Sequence, residues 1–256
     1  MNAHENEKMF RLEGRLWWYR ILHERVANAI SRQFSDSKSL RIFDAGCGTG
    51  GMLDYLLKQG HTNLYGVDGA ADAVDFCRER GLTVDVLDLN ELATYRPGET
   101  FDVIICNDVF CYFDDLALTK LLTELRKRLA PGGLLISNNN AFWVFRGAHD
   151  LAVGSTRRFV IADFERLMPK SGLYIQSATY WSFLLSPLIL AVRQWQNLTL
   201  RLGWQRADAP TSDVQDPGAF VNETLYQLVR LETRILPRTP FGSSLFALLS
   251  RRSKVG

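Results

Sequence analysis

A doubly wound α/β fold around a mainly parallel, seven-stranded sheet is predicted on three observations. Short β-rich apolar runs alternate with helical periodicity from about residue 39 to 138, as successive βα units over a parallel sheet require. Two further apolar runs nearer the carboxyl terminus bring the strands to seven. The 256 residues, 46% of them hydrophobic, are enough to bury one large core.

Leu40 to Asp44 reads as the first strand, and Met52, Leu53, Leu56 and Leu57 then recur at helical spacing until Gly60 supplies a cap. Leu64 to Asp68 is the second strand. A helix follows whose Ala70, Ala73, Val74 and Cys77 face inward and which Gly81 ends; Leu82 to Leu87 and Phe101 to Cys106 are the third and fourth strands. Leu118, Leu121, Leu122, Leu125 and Leu129 mark an amphipathic helix stopped by Pro131-Gly132-Gly133, with Leu134 to Ser137 as strand five. An aromatic, basic stretch from Phe142 to Phe159 then precedes a short helix near Ile161 to Met168. Leu173 to Trp181 and Ser244 to Leu249 supply the last two strands. Between them a leucine-rich segment, about 184 to 236, is helical around a polar loop from Arg206 to Gly218. The residues before 38 read as one separate helix with Trp17, Trp18 and Tyr19 in its middle. The expected division is 1–38 as a helical lid, 39–182 as the core, 183–238 as a helical cap over the substrate, and 239–256 as the strand that completes the sheet.

Thirty Lys+Arg against 28 Asp+Glu leave a formal charge of +2, too balanced to indicate a nucleic-acid partner. Cys47, Cys77, Cys106 and Cys111 contain no C-x-x-C pair, so neither a metal site nor a disulfide framework is expected, and a reducing, cytoplasmic setting fits. Charges run through the first thirty residues, which argues against a secretory signal. The longest oily run, Phe183 to Val192, falls short of the roughly 20 residues a spanning helix needs.

The chemistry sits in Asp44-Ala45-Gly46-Cys47-Gly48-Thr49-Gly50, where the first strand turns into the first helix. Glycines there let backbone approach a ligand, and open α/β sheets bind ligands at the carboxyl ends of their strands. Asp68, at the end of the second strand, is placed to accept hydrogen bonds from ribose hydroxyls. A nucleoside is therefore expected. Gly46-x-Gly48-x-x-Gly51 also satisfies a dinucleotide fingerprint, which leaves a NAD-dependent oxidoreductase open. Asp44, immediately before the turn, would repel a pyrophosphate but attract an ammonium, so a cationic amino-acid nucleoside fits better.

These residues resemble motif I of the class I S-adenosylmethionine-dependent methyltransferases. The resemblance continues with Asp68 at the ribose position, Asp88-Leu89 beside adenine, Phe101 to Asn107 as strand four with its motif IV end, and Leu129 to Leu135 as the turn into strand five. It implies a Rossmann-like fold with S-adenosylmethionine as cofactor and S-adenosylhomocysteine as product. Asp44, Ala45, Gly46, Cys47, Gly48, Gly50, Asp68, Gly69, Asp88, Leu89 and Asn107 would surround that cofactor. The flanks resemble a bacterial subgroup, of methyltransferase type 11/23, that accompanies glycan, lipid or secondary-metabolite pathways. Its features are matched by Trp17-Trp18-Tyr19-Arg20, by Asp150, by Arg157-Arg158-Phe159 and by Pro240 to Leu245. The subgroup commonly has Asp-Val-Leu-Glu-His after strand four; this chain reads Asp108-Val109-Phe110-Cys111-Tyr112, without the Glu and His. A Gly-His before the paired arginines is replaced by Gly154-Ser155.

The expected reaction is an in-line displacement from the sulfonium methyl to an O, N or C nucleophile of a small-molecule acceptor. His149 is the candidate proton acceptor and Tyr112 a second catalytic candidate that could position the acceptor. Trp17, Trp18, Tyr19, Arg20, Asp150, Arg157 and Arg158 are the candidate substrate contacts. Plainer readings stand beside these: Asp88 as a helix cap, Asn107 as a strand-end cap, His149 as a packing residue, and the arginines as a solvated face. Leu184 to Leu200 is either cap packing or a peripheral surface that meets a lipid or membrane. Absence of the Glu-His pair leaves a non-catalytic cofactor-binding module open. No basic cluster or Asn-Pro-Pro-Tyr-like motif follows strand four, which argues against nucleic acid as acceptor, and nothing indicates the oligomeric state.

Overall fold

The computed structural model describes residues 3–35, 38–202 and 212–251. The start of the expected polar loop, Arg206 to Pro210, and the last residues of the expected terminal strand segment, 252–256, lie outside them. The strands are β1 (Ile42–Ala45), β2 (Leu64–Asp68), β3 (Val84–Val86), β4 (Phe101–Ile105), β5 (Leu129–Asn140), β6 (Leu173–Trp181) and β7 (Ser244–Arg251). They form one seven-stranded sheet in the order β3-β2-β1-β4-β5-β7-β6. From β3 across to β5 every pairing is parallel, whereas β7 is antiparallel to both β5 and β6, so the sheet is mixed. The reversal has a simple cause. Helices α8 (Ser186–Arg201) and α9 (Ala219–Ile235) intervene after β6 and return the chain to the sheet edge that β6 has just left, so β7 must run back between β5 and β6.

Central strands buried on both faces need apolar residues at consecutive positions, and the chain supplies them. Ile42, Val103 and Leu134 point to one face, where they meet Val26 and Ile30 of α2 (Trp17–Gln33), Met52 and Leu56 of α3 (Gly51–Lys58) and Val229 of α9. Their neighbours Phe43, Ile104 and Leu135 point to the other. There they pack on Leu118, Leu122 and Leu125 of α5 (Asp115–Arg128) and on Phe164 and Leu167 of α7 (Ile161–Ser171). The remaining helices are α1 (Ala3–Leu12), α4 (Ala71–Glu79) and the short α6 (Ala148–Ala152).

Several boundaries differ from expectation for local reasons. The amino-terminal segment is two helices rather than one: the chain breaks at Glu13 to Leu16, around the poor helix former Gly14, and Trp17 opens α2. The three aromatics therefore occupy the first turn of a helix, not its middle. Leu129 belongs to β5 rather than to α5, and Pro131-Gly132-Gly133 lies within the strand's opening, where the register against β4 shifts between Phe101 and Val103. Gly133 is required there, because a Cβ would sit 2.9 Å from the carbonyl oxygens of both Ala130 and Asp102. The same strand runs on to Asn140, three residues past its apolar run. Buried Asn138 and Asn139 sustain it through side-chain hydrogen bonds that asparagine's weak strand preference does not announce. Leu82 is drawn into the turn after α4 by its amide bond to Cys77 O (3.0 Å), which shortens β3.

One buried ion pair ties the region after β5 together. Arg158 donates through Nε and Nη2 to the two carboxylate oxygens of Asp150 (2.8 and 3.0 Å) and through Nη1 to Ala141 O (2.9 Å). Asp150 also accepts the Gly147 amide that opens α6 (2.9 Å). Both residues are buried, so removing one partner strands a charge. Arg158→Met should destabilise the fold by about 3 kcal/mol or more, with Asp150→Leu/Arg158→Met recovering part of the loss. Thermal and urea unfolding check this; a single variant within 1 kcal/mol of the parent would show that the pair holds nothing.

Candidate active site

The turn from β1 into α3 is held against β2 by its own backbone. Gly46 and Cys47 donate amides to Val67 O (2.9 and 3.0 Å), and the Gly48 amide donates to Asp68 Oδ2 (2.8 Å). Gly48 has φ +55°, and a Cβ on it would lie 2.6 Å from the Met9 methyl, so the position needs glycine twice over. The second Asp68 oxygen accepts the Ala70 amide at the start of α4 (2.9 Å). Two backbone donors thus fix the carboxylate while leaving lone pairs for ribose hydroxyls. Ala45 and Cys47 are buried beneath the turn, and Gly69 is exposed beyond Asp68.

Asp44 closes this corner from below. It is buried, and among the described residues no Lys or Arg forms an ion pair with it. Burial raises its pKa to about 8, with the charges of Asp68 and Glu13 adding to the rise. A carboxylate left without a countercharge at a strand exit fits the ammonium of an amino-acid nucleoside, and the close backbone of Gly48 fits its approach.

Helix α1 lies over the turn. Met9 rests on Gly48, Phe10 stacks on Phe76 of α4 (ring centroids 4.6 Å apart), and Asn6 donates to Asp72 (2.8 Å). Glu13, just beyond α1, accepts from the Thr49 hydroxyl and from Arg80 (2.6 Å), yet burial still pushes it up to about 7. No spacing rule finds Glu13, because it meets Thr49 only through a fold that joins positions 36 residues apart.

Just beyond β4, Asp108 lies near enough to Tyr19 and Tyr112 for its charge to add to the burial that raises both phenols. Asn107 accepts the Asn138 amide on Oδ1 (2.9 Å), stitching the exit of β4 to β5. Asp108 matches the first residue of the subgroup's Asp-Val-Leu-Glu-His but is not among the candidate site residues. Asp88 caps the 3₁₀ turn Leu89–Thr94 by accepting the Asn90 amide (2.9 Å), while Leu89 is buried beside it. Trp18 stacks on Trp181 (5.6 Å).

The other candidates are committed to partners of their own. Trp17 is anchored through its amide to Asn222 Oδ1 (2.8 Å), and Arg20 pairs with Glu223 (2.8 Å) above the Tyr226 ring, which commits both to α9. His149 accepts the Asp213 amide on Nδ1 (3.2 Å), is pushed down by burial, and faces Asp213, Asp150, Arg193 and Arg158 rather than the carboxylates at the turn. Asp150 and Arg158 satisfy each other. Arg157 bonds Asp115 (2.8 Å) and covers the Phe159 ring. Among the described residues no group of His, Cys, Asp and Glu is arranged to hold a metal, and no helix is long and apolar enough to cross a membrane.

A glycine turn under a tethered acid, at the carboxyl edge of this sheet, defines a nucleoside-binding α/β transferase of the methyltransferase kind. Comparison with known proteins agrees. A family model described as a methyltransferase domain matches residues 42–133. A ubiquinone biosynthesis O-methyltransferase of Cereibacter sphaeroides is 30% identical over 184 residues, covering 60% of this chain and 71% of that protein. Two solved structures share the fold. One is a SAM-dependent methyltransferase from Archaeoglobus fulgidus (TM-score 0.55, 16% identity, 90% of this chain and 94% of that one). The other is a SAM-bound amino pentose methyltransferase from Micromonospora echinaspora (TM-score 0.54, 17% identity, 72% and 93%). The chain belongs to the class I S-adenosylmethionine-dependent methyltransferases. It is an enzyme that uses S-adenosylmethionine, which removes the NAD-dependent and non-catalytic alternatives.

Two outcomes follow from the corner's electrostatics. Asp44 is protonated below about pH 8 in the free protein, whereas an ammonium binds its ionised form, so binding must release a proton in that range. S-adenosylhomocysteine affinity should rise from pH 6 to 8, by up to about tenfold per unit, and flatten above. Calorimetry in buffers of different ionisation enthalpy reads the proton; a pH-independent Kd with no proton release contradicts the placement. Asp68→Ala should weaken the same binding more than tenfold, on the order of 1.4 kcal/mol or above for a charge-assisted pair. An unchanged Kd would put the ribose elsewhere.

Proposed function

We propose that this enzyme methylates a hydroxyl group on a small molecule with an apolar body, in a glycan, lipid or secondary-metabolite context. The observation that carries this reading is Asp108, a carboxylate with no ion pair among the described residues, whose charge adds to the burial that raises the phenols of Tyr19 and Tyr112. O-methylation, the activity of the Cereibacter sphaeroides relative, supports it. An apolar body is favoured by α8, on which Leu188, Val192, Trp195 and Leu198 are all exposed and no acidic residue occurs between Ser186 and Arg201. Trp143, exposed in the 3₁₀ turn that packs against α8, extends the same apolar character. Such a face suits an acceptor delivered from a lipid surface.

In this reading Asp44 holds the amino-acid ammonium, the backbone of Ala45 to Gly50 cradles the same moiety, and Asp68 with Gly69 takes the ribose. Leu89 walls the adenine beside Asp88, and Asn107 keeps the exit of β4 in place. The bound cofactor supplies an electrophilic methyl on a sulfonium. The protein's contribution is to hold the acceptor in line at near-attack distance, which is worth orders of magnitude in rate. Residues 1–38 act as a lid through α1, and 183–238 shape the acceptor's entrance, with Trp18 and Tyr19 at its edge and Trp17 and Arg20 holding that edge to α9. Arg157, Arg158 and Asp150 serve by positioning the segment after β5, and His149 stays with them.

Labelled S-adenosylmethionine and a panel of acceptors test this. Hydroxyl-bearing aromatics should accept methyl, alkyl-chain versions presented in anionic vesicles should turn over at least tenfold better than their short counterparts, and matched amines should stay at background. Preference for amines, or no gain from the alkyl chain, would overturn the reading.

A further inference from the structure

We propose that Asp108 is the proton acceptor for the acceptor hydroxyl, held in place by a chain of hydrogen bonds from Trp181 through Asn138. The inference rests on the hydroxyl reading above and adds the group that makes it work. Asp108 follows β4 by three residues, on the sheet edge where ligands bind, and its backbone has φ +56°. A non-glycine residue held there costs on the order of 1 kcal/mol and is maintained only where surrounding contacts impose it. The contacts are present: its amide donates to Asn138 O (2.7 Å), and its side chain accepts from Asn138 Nδ2 at 3.1 and 3.4 Å.

The chain of bonds fixes the amide's orientation by chemistry. An indole N–H can only donate, so Trp181 Nε1, 2.9 Å from Asn138, must face the carbonyl oxygen and leave Nδ2 to Asp108. Trp181 is itself fully buried under Trp18 and the guanidinium of Arg25. The carboxylate has no ion pair among the described residues. The groups facing it are Asn138, Tyr19, Tyr112, Cys106, Cys111 and Arg158, the last already bound to Asp150. Burial raises Asp108 to about 7, against the lowering effect of Asn138 and Arg158, which is where a base works best near neutrality. The partly covered Tyr112 phenol is raised, by desolvation and by the charges of Cys111, Asp108 and Asp68, so it keeps its own proton near neutrality, and His149 is engaged elsewhere. Asp108 thus remains as the one acid in a turn where Cys111 and Tyr112 stand in place of the subgroup's Glu and His. As the acceptor oxygen bonds the methyl carbon, the carbon–sulfur bond breaks with its electron pair staying on sulfur; the hydroxyl proton passes to an Asp108 oxygen and later to solvent.

The test compares two acceptors on the full chain. Catechol keeps its hydroxyl protons at neutral pH, whereas 4-nitrocatechol is already ionised at pH 8. Asp108→Asn, whose side chain tolerates a left-handed backbone, should lower kcat for catechol about a hundred- to ten-thousand-fold, spare 4-nitrocatechol to within tenfold, and leave the S-adenosylhomocysteine Kd within twofold. The rise of wild-type kcat through about pH 7 should vanish in Asp108→Asn, return in part in Asp108→Glu, and move to higher pH in Asn138→Ala. Equal losses on both acceptors, or an unchanged pH profile, overturn the proposal. An enzyme that methylates amines and neither catechol sinks the hydroxyl reading and the proposal with it. If no probe turns over, carbon-13 NMR of the Asp108 carboxyl in the S-adenosylhomocysteine complex decides: titration near 7 that Asn138→Ala shifts upward supports the proposal, and titration near 4 rejects it.

Discussion

The carboxylate of Asp44 is buried at the end of β1 with no ion-pair partner among the described residues, and much of the molecule can be understood as living with that cost. Desolvating an unpaired charge is expensive enough that the group holds its proton instead, as its pKa of about 8 records. The Asp68 carboxylate beside it and Glu13 across it add negative potential rather than relieve it. A ligand that brings its own positive charge is the natural complement. The same arrangement disfavours a pyrophosphate, which is why one residue separates two cofactor classes that share a glycine spacing.

Around that corner the fold provides rigidity in some directions and coverage in others. Asp68 is tied to two backbone amides, so the acid beside the turn is held in one orientation. Helix α1 and Glu13 after it cover the turn and α4 through a methyl, a stacked ring and a few polar contacts, a lighter attachment than the interlocked faces of the sheet. The reversed strand β7 matters for the opposite edge. Because β7 starts at the carboxyl edge where β6 ends, α8 and α9 are inserted there without a loop across the core, and the Trp181–Asn138–Asp108 chain joins β6, β5 and the exit of β4 at that edge.

Much of the fold was legible because its core strands carry unbroken apolar runs and its helices a 3.6-residue period; β6 matches its expected bounds of Leu173 to Trp181. What escaped was decided by contacts between distant residues. The extra turn of strand through Asn140 depends on side-chain partners 30 to 43 residues away, and the break between α1 and α2 on a glycine and an acid that reaches the cofactor loop. At the site, the cofactor corner could be read because its motif is contiguous in sequence. The acceptor side could not: His149 and Arg158 have suitable chemistry but are used within the fold, while Asp108 looked ordinary until Asn138 and Trp181 were brought beside it.

The account stands most directly on where the cofactor sits. A crystal structure of the S-adenosylhomocysteine complex is predicted to place the α-ammonium within hydrogen-bond distance of Asp44, about 2.7–3.2 Å, directly or through one water, with both ribose hydroxyls on Asp68. Adenosine seated away from the β1–α3 turn, or a carboxyl group rather than an ammonium facing Asp44, would contradict it.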